Sequence, residues 1–288
     1  MQCMEIWGGN EPMDNAISVP GLDVCVYSKP HDGDDSGGDI HYISMCAAGM
    51  ISRFAVADIS GHGIEASGLA DKLRKLMRKH INKVDQSRFV SSLNDEFSRL
   101  ADEGNFATAV LATYYAPTDH LIVCNAGHPH PLWYRAAHRS WSFLTHDHED
   151  VAQTGTAVGL KDLPLGVIRP TSYTQFAVPL EPGDIIVFYT DSLVEATDAN
   201  GAQIGLDGLL GLARGLESED PVALCHALVQ RVTEYRGGEP STDDETVVVL
   251  HHNAADPPKT PWTEKVRVMG RLLGLVGEVG MPEEGARH

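Results

Sequence analysis

The strand-type runs of this chain come in blocks, and that order limits the folds open to it. Runs at 22–27, 40–47 and 51–58 come first. Two stretches of helical periodicity follow, Leu69, Leu73, Leu76, Met77 and Ile81, then Phe89, Leu93, Phe97 and Leu100. Strand-type runs return at 106–115, 121–124, 132–135, 173–178 and 184–189. Late helices at 208–216 and 221–235 then precede a closing strand at 245–250. A βαβ protein would alternate strand and helix one for one, and this chain does not. Segregated blocks fit antiparallel sheets with helices packed outside. The expected fold class is therefore α+β, a layered β-sandwich flanked by helices.

The pattern divides the chain into a lead-in at 1–21, a main domain at 22–252 and a tail at 253–288. The lead-in reads as loose, and the polar stretch 146–157 as a loop. Pro257, Pro258 and Pro261 mark a linker. Val268, Leu272, Leu275 and Val276 then fall near helical spacing, but glycines weaken the pattern. The tail is expected to be a weak helix for docking or dimer contact, or disordered.

With 22 Lys and Arg against 40 Asp and Glu, the net charge is −18. Such a chain is repelled by nucleic acid and anionic lipid, so neither is expected as a partner. Of the five cysteines, Cys25, Cys46 and Cys124 sit in strand-like runs and no two share C-x-x-C spacing. Buried reduced thiols, and hence a reducing compartment, are expected. Glu5, Glu11 and Asp14 stand where a signal peptide would be basic and apolar. No run of 18 apolar residues suggests a membrane span. Together these predict a cytoplasmic location.

Four segments end in acid and glycine or acid and hydroxyl: Ser36-Gly37-Gly38-Asp39, Ala57-Asp58-Ile59-Ser60-Gly61-His62-Gly63, Phe188-Tyr189-Thr190-Asp191-Ser192 and Thr242-Asp243-Asp244-Glu245-Thr246. A carboxylate at a strand end is held with little freedom, and adjacent glycines let backbone and ligand approach. Gathered together, such carboxylates would repel unless a cation sat among them, and Mg²⁺ or Mn²⁺ suits oxygen donors. Each segment alone has a plainer reading. Gly37-Gly38-Asp39 makes a turn, Asp58 or Ser60 caps a helix, and Asp191 merely ends a strand. Their joint occurrence in this order favours a metal site.

The same blocks resemble the metal-dependent protein phosphatase family, type 2C-like, in its bacterial sporulation stage II E (SpoIIE-like) branch. The matching text is Val56-Ala57-Asp58-Ile59-Ser60-Gly61-His62-Gly63, Asn125-Ala126-Gly127-His128-Pro129-His130-Pro131-Leu132, Leu163-Pro164-Leu165-Gly166, Glu181-Pro182-Gly183-Asp184 leading to Tyr189-Thr190-Asp191, Glu195-Ala196 and Asp243-Asp244-Glu245-Thr246. The resemblance covers residues 22–251 and implies a serine/threonine phosphatase acting through a hydroxide that bridges two Mn²⁺ or Mg²⁺ ions. By position, Asp58 would bridge both metals and the Ile59 carbonyl would complete one shell. Asp191 and Asp243 would hold the other ion. Asp39 would hold metal-bound water or a weaker third ion, and Asp244 would lie in an outer shell. His62 is a candidate general acid, and His128 a turn residue with a structural role.

The resemblance also implies a phosphorylated protein substrate, such as an anti-sigma-factor antagonist. A separate regulatory partner, the helices at 63–103 or the tail would control the enzyme. No basic phosphate clamp stands out, although Arg53 is near in sequence. Three positions depart from the branch: Ser192 replaces glycine, Tyr42 an aspartate and Glu245 a methionine. They motivate the alternative, a catalytically weak regulatory binding module of the same fold. A nuclease or phosphodiesterase is disfavoured by charge.

Overall fold

The structure is a computed structural model. It describes residues 3–31, 34–46, 48–101, 104–147, 160–216, 220–255 and 260–275, with 152–154 by backbone alone. Its strands are β1 (Cys3–Gly9), β2 (Met13–Val19), β3 (Leu22–Lys29), β4 (Asp39–Cys46), β5 (Ile51–Ile59), β6 (Ala107–Tyr115), β7 (His120–Ala126), β8 (Leu132–Arg135), β9 (Ser140–Phe143), β10 (Ala152–Thr154), β11 (Gln175–Pro179), β12 (Ile185–Tyr189) and β13 (Glu245–His252). Its α-helices are α1 (Gly63–His80), α2 (Gln86–Phe97), α3 (Gly205–Ala213), α4 (Pro221–Tyr235) and α5 (Trp262–Leu272).

The strands form a seven-stranded sheet, β1-β4-β5-β6-β7-β11-β10, and a six-stranded sheet, β2-β3-β13-β12-β8-β9. All of these strand pairings are antiparallel. The sheets face each other across a core that mixes Phe54, Val56 and Val110 of the first with Val24, Phe188 and Val248 of the second. The outer face of the first sheet carries α1 and α2, with Ala55, Ala57 and Ile59 against Leu73, Leu93 and Phe97. The outer face of the second carries α3 and α4, with Val187 and Val249 against Leu209 and Leu228. Each central strand is therefore covered on both sides. That is why β5 reads as a near-continuous apolar run in which alternate residues serve different layers.

The lead-in expectation is corrected. Residues 3–9 pair with β4 and residues 13–19 with β3, so this stretch adds one edge strand to each sheet. In β2, most side chains are exposed or half-buried, which is the pattern of an edge and hides the strand from a hydrophobicity count. Strand β9 was likewise not anticipated, and 152–154 form a short strand within the stretch read as a loop. The remainder of that loop is outside the described residues.

In the tail, a helix forms over Trp262–Leu272, and 276–288 lie outside the described residues. Leu272 is buried against Ile51, Tyr115 and Ile122. Its carbonyl accepts from Gln175 Nε2 at 3.0 Å, and Lys265 Nζ donates to the Pro117 carbonyl at 2.7 Å. The five cysteines are free thiols, four of them buried. Among the described residues no helix is long and apolar enough to cross a membrane.

Docking of α5 gives a direct test. Leu272→Ala is expected to lower unfolding free energy by about 2 kcal/mol in urea titration. This is the low end for a buried leucine, because other apolar residues of the helix remain exposed. A change below about 0.5 kcal/mol would mean that α5 does not pack as described.

Candidate functional site at one end of the sandwich

Strand alternation fixes where the acids point. On β5, Phe54 and Val56 face the inter-sheet core, so Asp58 shares that face. Asp39 sits directly across from Asp58 in the β4–β5 register. Both acids therefore lie at the same end of the first sheet, on its inner side. Opposite them, in the second sheet, β12 ends at Tyr189 and β13 begins at Glu245. Asp191 and Asp243 occupy the segments just beyond those ends. Four segments far apart in sequence thus meet at one mouth of the sandwich.

Hydrogen bonds lock this mouth. The Thr190 hydroxyl donates to Asp39 Oδ2 at 2.8 Å and accepts from the Thr246 N–H at 3.0 Å. The Thr190 N–H donates to the Thr246 carbonyl at 3.1 Å, and Thr246 Oγ1 lies 3.0 Å from Ser28 Oγ. Asp39, Thr190, Thr246 and Ser28 are all buried. Asp244 takes a different job. Its Oδ1 accepts from the His31 N–H at 2.7 Å, and its Oδ2 accepts from the Gly38 and Asp39 N–H groups at 2.5 and 3.4 Å. It thereby ties the loop before β4 to the start of β13. Gly37 must lack a side chain there, since a Cβ would stand 2.3 Å from Asp244 Oδ2.

The Asn125–His128 turn braces the same region. Asn125 Oδ1 accepts from the His128 N–H at 2.7 Å, and its amide donates back to the His128 carbonyl at 2.9 Å. His128 Nε2 lies 3.0 Å from the Tyr189 carbonyl, which only accepts, so Nε2 carries the hydrogen. Nδ1 then accepts from Thr108 Oγ1 at 2.8 Å. Thr108 is the register partner of Asp58 on β6. A neutral imidazole thus connects the neighbour of Asp58 to the strand that delivers Asp191. Burial holds the His128 pKa down at about 3, against a smaller upward pull from the Tyr189 carbonyl.

The acids feel one another. Burial, followed by Asp191, Asp243, Asp244 and Glu195, pushes Asp58 up to about 8. Asp191 is also raised, by burial and then by Glu195 and Asp243. Asp39 rises well above the usual range through burial and Asp58, with the Thr190 hydrogen bond opposing. Among the described residues, no three or more His, Cys, Asp or Glu side chains are placed so that together they could hold a metal ion. The donor set nevertheless fits a hard cation. Every donor is an oxygen, the carboxylates repel in partial burial, and divalent charge relieves that repulsion. Gly38 also passes close to Ile59, so that a Cβ would lie 3.2 Å from the Ile59 carbonyl oxygen.

His62 is exposed at the N-cap of α1 and makes no hydrogen bond with the described residues. The flanking Gly61 and Gly63 have φ of 93° and 79°, which suits glycine. Neither Asp58 nor Ser60 caps α1. Ser60 instead accepts from the Phe106 N–H at 2.9 Å and holds the β5 end to the start of β6. Arg53 is buried on the outer face of β5, 5.2 Å over the Phe89 ring, and donates to the Lys83 carbonyl. It faces away from the acids.

The departures have local explanations. Ser192 follows Asp191 in a right-handed 3₁₀ turn, so no left-handed backbone is demanded of it. Tyr42 packs on the helix side of β4, opposite to Asp39. Glu245 is buried and paired with Arg236. Thr190 and Thr246 are the contributors that the sequence reading assigned no role. Their signal was a threonine beside the acids in both closing segments.

A family model described as Stage II sporulation protein E (SpoIIE) matches residues 51–253. Phosphoserine phosphatase RsbU of Bacillus subtilis is 26% identical over 195 residues, which are 67% of this chain and 51% of that protein. The chain therefore spans about half the length of this curated relative. A solved structure of the RsbU and RsbW domains of a Mycobacterium tuberculosis protein aligns with TM-score 0.68 and 23% identity, covering 92% of this chain and 71% of that one. The PP2C phosphatase domain of SpoIIE from Bacillus subtilis, with a regulatory fragment, aligns at 0.65 and 18% identity, covering 82% and 64%. These likenesses show a type 2C phosphatase-like fold.

Two outcomes test the bracing. Thr190→Val is expected to cost about 1–3 kcal/mol of unfolding free energy, because it strands the Thr246 N–H and removes a donor from Asp39. A loss under about 0.5 kcal/mol would remove Thr190 from this role. His128 is bound neutral, so its contribution is complete above pH of about 6.5 and declines on acidification toward about 3. His128→Gln should flatten the stability-versus-pH curve in that window by up to about 1.4 kcal/mol per pH unit. Parallel curves for the two proteins would contradict the assignment.

Proposed function

Because the chain belongs to the stage II sporulation protein E family, we propose that it is a metal-dependent protein serine/threonine phosphatase. The observation that carries this reading is the meeting of Asp58, Asp191 and Asp243 at one end of the sandwich, each close enough to affect another's charge. The proposed reaction consumes one water and one phosphoserine or phosphothreonine, and releases the hydroxyl side chain and inorganic phosphate.

In this reading Asp58, the Ile59 carbonyl, Asp191 and Asp243 would hold the Mn²⁺ or Mg²⁺ ions. Such ions, when bound, supply Lewis acidity to water and to the phosphoryl oxygens. The chain's own residues supply position. Thr190 and His128 fix the backbone that presents Asp191, and Asp244 fixes the loop that presents Asp39. Asp39, engaged by Thr190, is proposed to act through an outer shell or a third ion. A proton for the leaving oxygen is proposed to come from His62, whose exposed imidazole has no hydrogen-bond partner among the described residues.

The proposed substrate is a phosphorylated signalling protein, such as an anti-sigma-factor antagonist. The name of the RsbU relative, a phosphoserine phosphatase, supports that class. The alternative of a weak binding module has less support. Its three motivating residues have local roles: Tyr42 and Glu245 pack outside the acid set, and Ser192 adopts an ordinary backbone.

Turnover of a phosphoserine peptide and of p-nitrophenyl phosphate is expected with Mn²⁺ and should disappear in excess chelator. Asp58→Asn is expected to lower kcat/KM at least about 100-fold, since even outer-shell changes reach that size. Full activity in chelator, or in the variant, would refute the metal-dependent reading.

A further inference from the structure

We propose that Cys3 and Cys46 are a reversible oxidation site, closing to a disulfide with a hydroperoxide and clipping β1 to β4. The site is independent of the phosphatase reading, since Cys46 ends β4 and Asp39 begins it. The two cysteines are direct register partners in the antiparallel β1–β4 pair. Residues so paired project to one face of a sheet. Cys46 belongs to the apolar layer of Ile51, Tyr115 and Leu272, and Cys3 packs against it. Directly opposed residues have Cα atoms about 4.5–5.5 Å apart, within the span of a disulfide, and Cβ atoms up to about 1 Å beyond its ideal. β1 can supply that adjustment, because it is an edge strand whose register already shifts between Glu5 and Trp7.

The two thiols differ as an attacking and a resolving thiol must. Cys3 is half-buried, whereas the other four cysteines are buried. It lines a cavity of about 570 Å³ whose wall includes the exposed Met4. A small oxidant can therefore reach its sulfur. Cys46 waits behind it, its sulfur accepting from the Ile51 N–H at 3.3 Å. Arg53 is a second, independent observation. Its guanidinium is buried, and its Nε and Nη1 have no hydrogen-bond acceptor among the described residues. The groups that offset its burial are Cys3, Tyr42 and Cys46. Burial raises the Cys3 thiol pKa, and Arg53 is the largest influence opposing that rise. A thiolate at this pair would supply the negative charge that Arg53 lacks.

The chemistry balances. The Cys3 thiolate attacks the hydroperoxide, an S–O bond forms as the O–O bond breaks, and the leaving oxygen takes a proton. The Cys46 thiol then loses its proton and attacks the sulfenic sulfur of Cys3, and hydroxide leaves as water. The two thiols give up two electrons and two protons, and the hydroperoxide takes them up. A dithiol reverses the change by exchange. The closed ring runs from β1 through β2 and β3 of the other sheet and back to β4, so oxidation ties the two sheets covalently.

Hydrogen peroxide on the full chain, then alkylation in denaturant and peptide mapping, tests the site. The chain is expected to lose two alkylatable thiols and to yield a cross-linked 3–46 peptide. It should run as a single chain on a non-reducing denaturing gel and recover in dithiothreitol. Cys3→Ser should abolish the loss. Cys46→Ala should leave a sulfenic acid at Cys3 that dimedone traps, a readout that needs no disulfide. The oxidised chain should unfold roughly 5–10 °C higher, because the ring restricts the unfolded chain. Retention of all five thiols, a Cys25–Cys225 or intermolecular product, or thiol loss that persists in Cys3→Ser would overturn the site. So would a lower unfolding midpoint after 3–46 closure, which marks a forced pairing.

Discussion

The structure depends on how the two sheets are joined at their acidic end. Along most of the sandwich the join is apolar, with Phe54, Val56, Phe188 and Val248 in one layer. At the mouth it changes to hydrogen bonds, where Asp39 of one sheet accepts from Thr190, which follows a strand of the other. Apolar packing is non-directional and would tolerate sliding of one sheet over the other. A buried donor–acceptor pair has a fixed length and direction, so it sets the sheets in one register at the place where the acids meet. Carboxylates that repel stay near one another because the backbone beneath each is held elsewhere.

That division of labour explains what the sequence disclosed. Asp58, Asp191 and Asp243 stood out as candidates because each follows or precedes an apolar run, and an acid there breaks the pattern. The layered α+β class was legible because strands covered on both faces, such as β5, read as unbroken apolar text. β1 and β2 were not, since an edge strand needs only one covered face and β2 has little of that. Thr190 and Thr246 were hidden for the opposite reason. Threonine is an ordinary strand residue, and a threonine beside an acid does not by itself reveal a hydroxyl that bonds across 151 positions to Asp39.

The three departures from the family pattern illustrate how a substitution is absorbed by its surroundings. Glu245 stands where a methionine is usual, and a lone buried carboxylate would be costly. Arg236, just beyond α4, pairs with it. Removing one partner of such a pair is far worse than replacing both, so the two residues are best treated as one unit. Tyr42, three residues after Asp39, is carried by strand alternation to the helix-facing side. It therefore neither adds to nor subtracts from the acid set.

The electrostatics of the mouth follow from the same scaffold. An acid raised by its neighbours, as Asp58 is, marks a place where the folded chain has concentrated like charge instead of dispersing it. With −18 overall, the chain has surface enough to spread its acids. Holding several of them at one mouth disfavours the fold locally unless positive charge arrives there. Thr190, Asp244 and His128 brace the backbone beneath the acids, so the positions of the acids do not depend on favourable contacts among themselves.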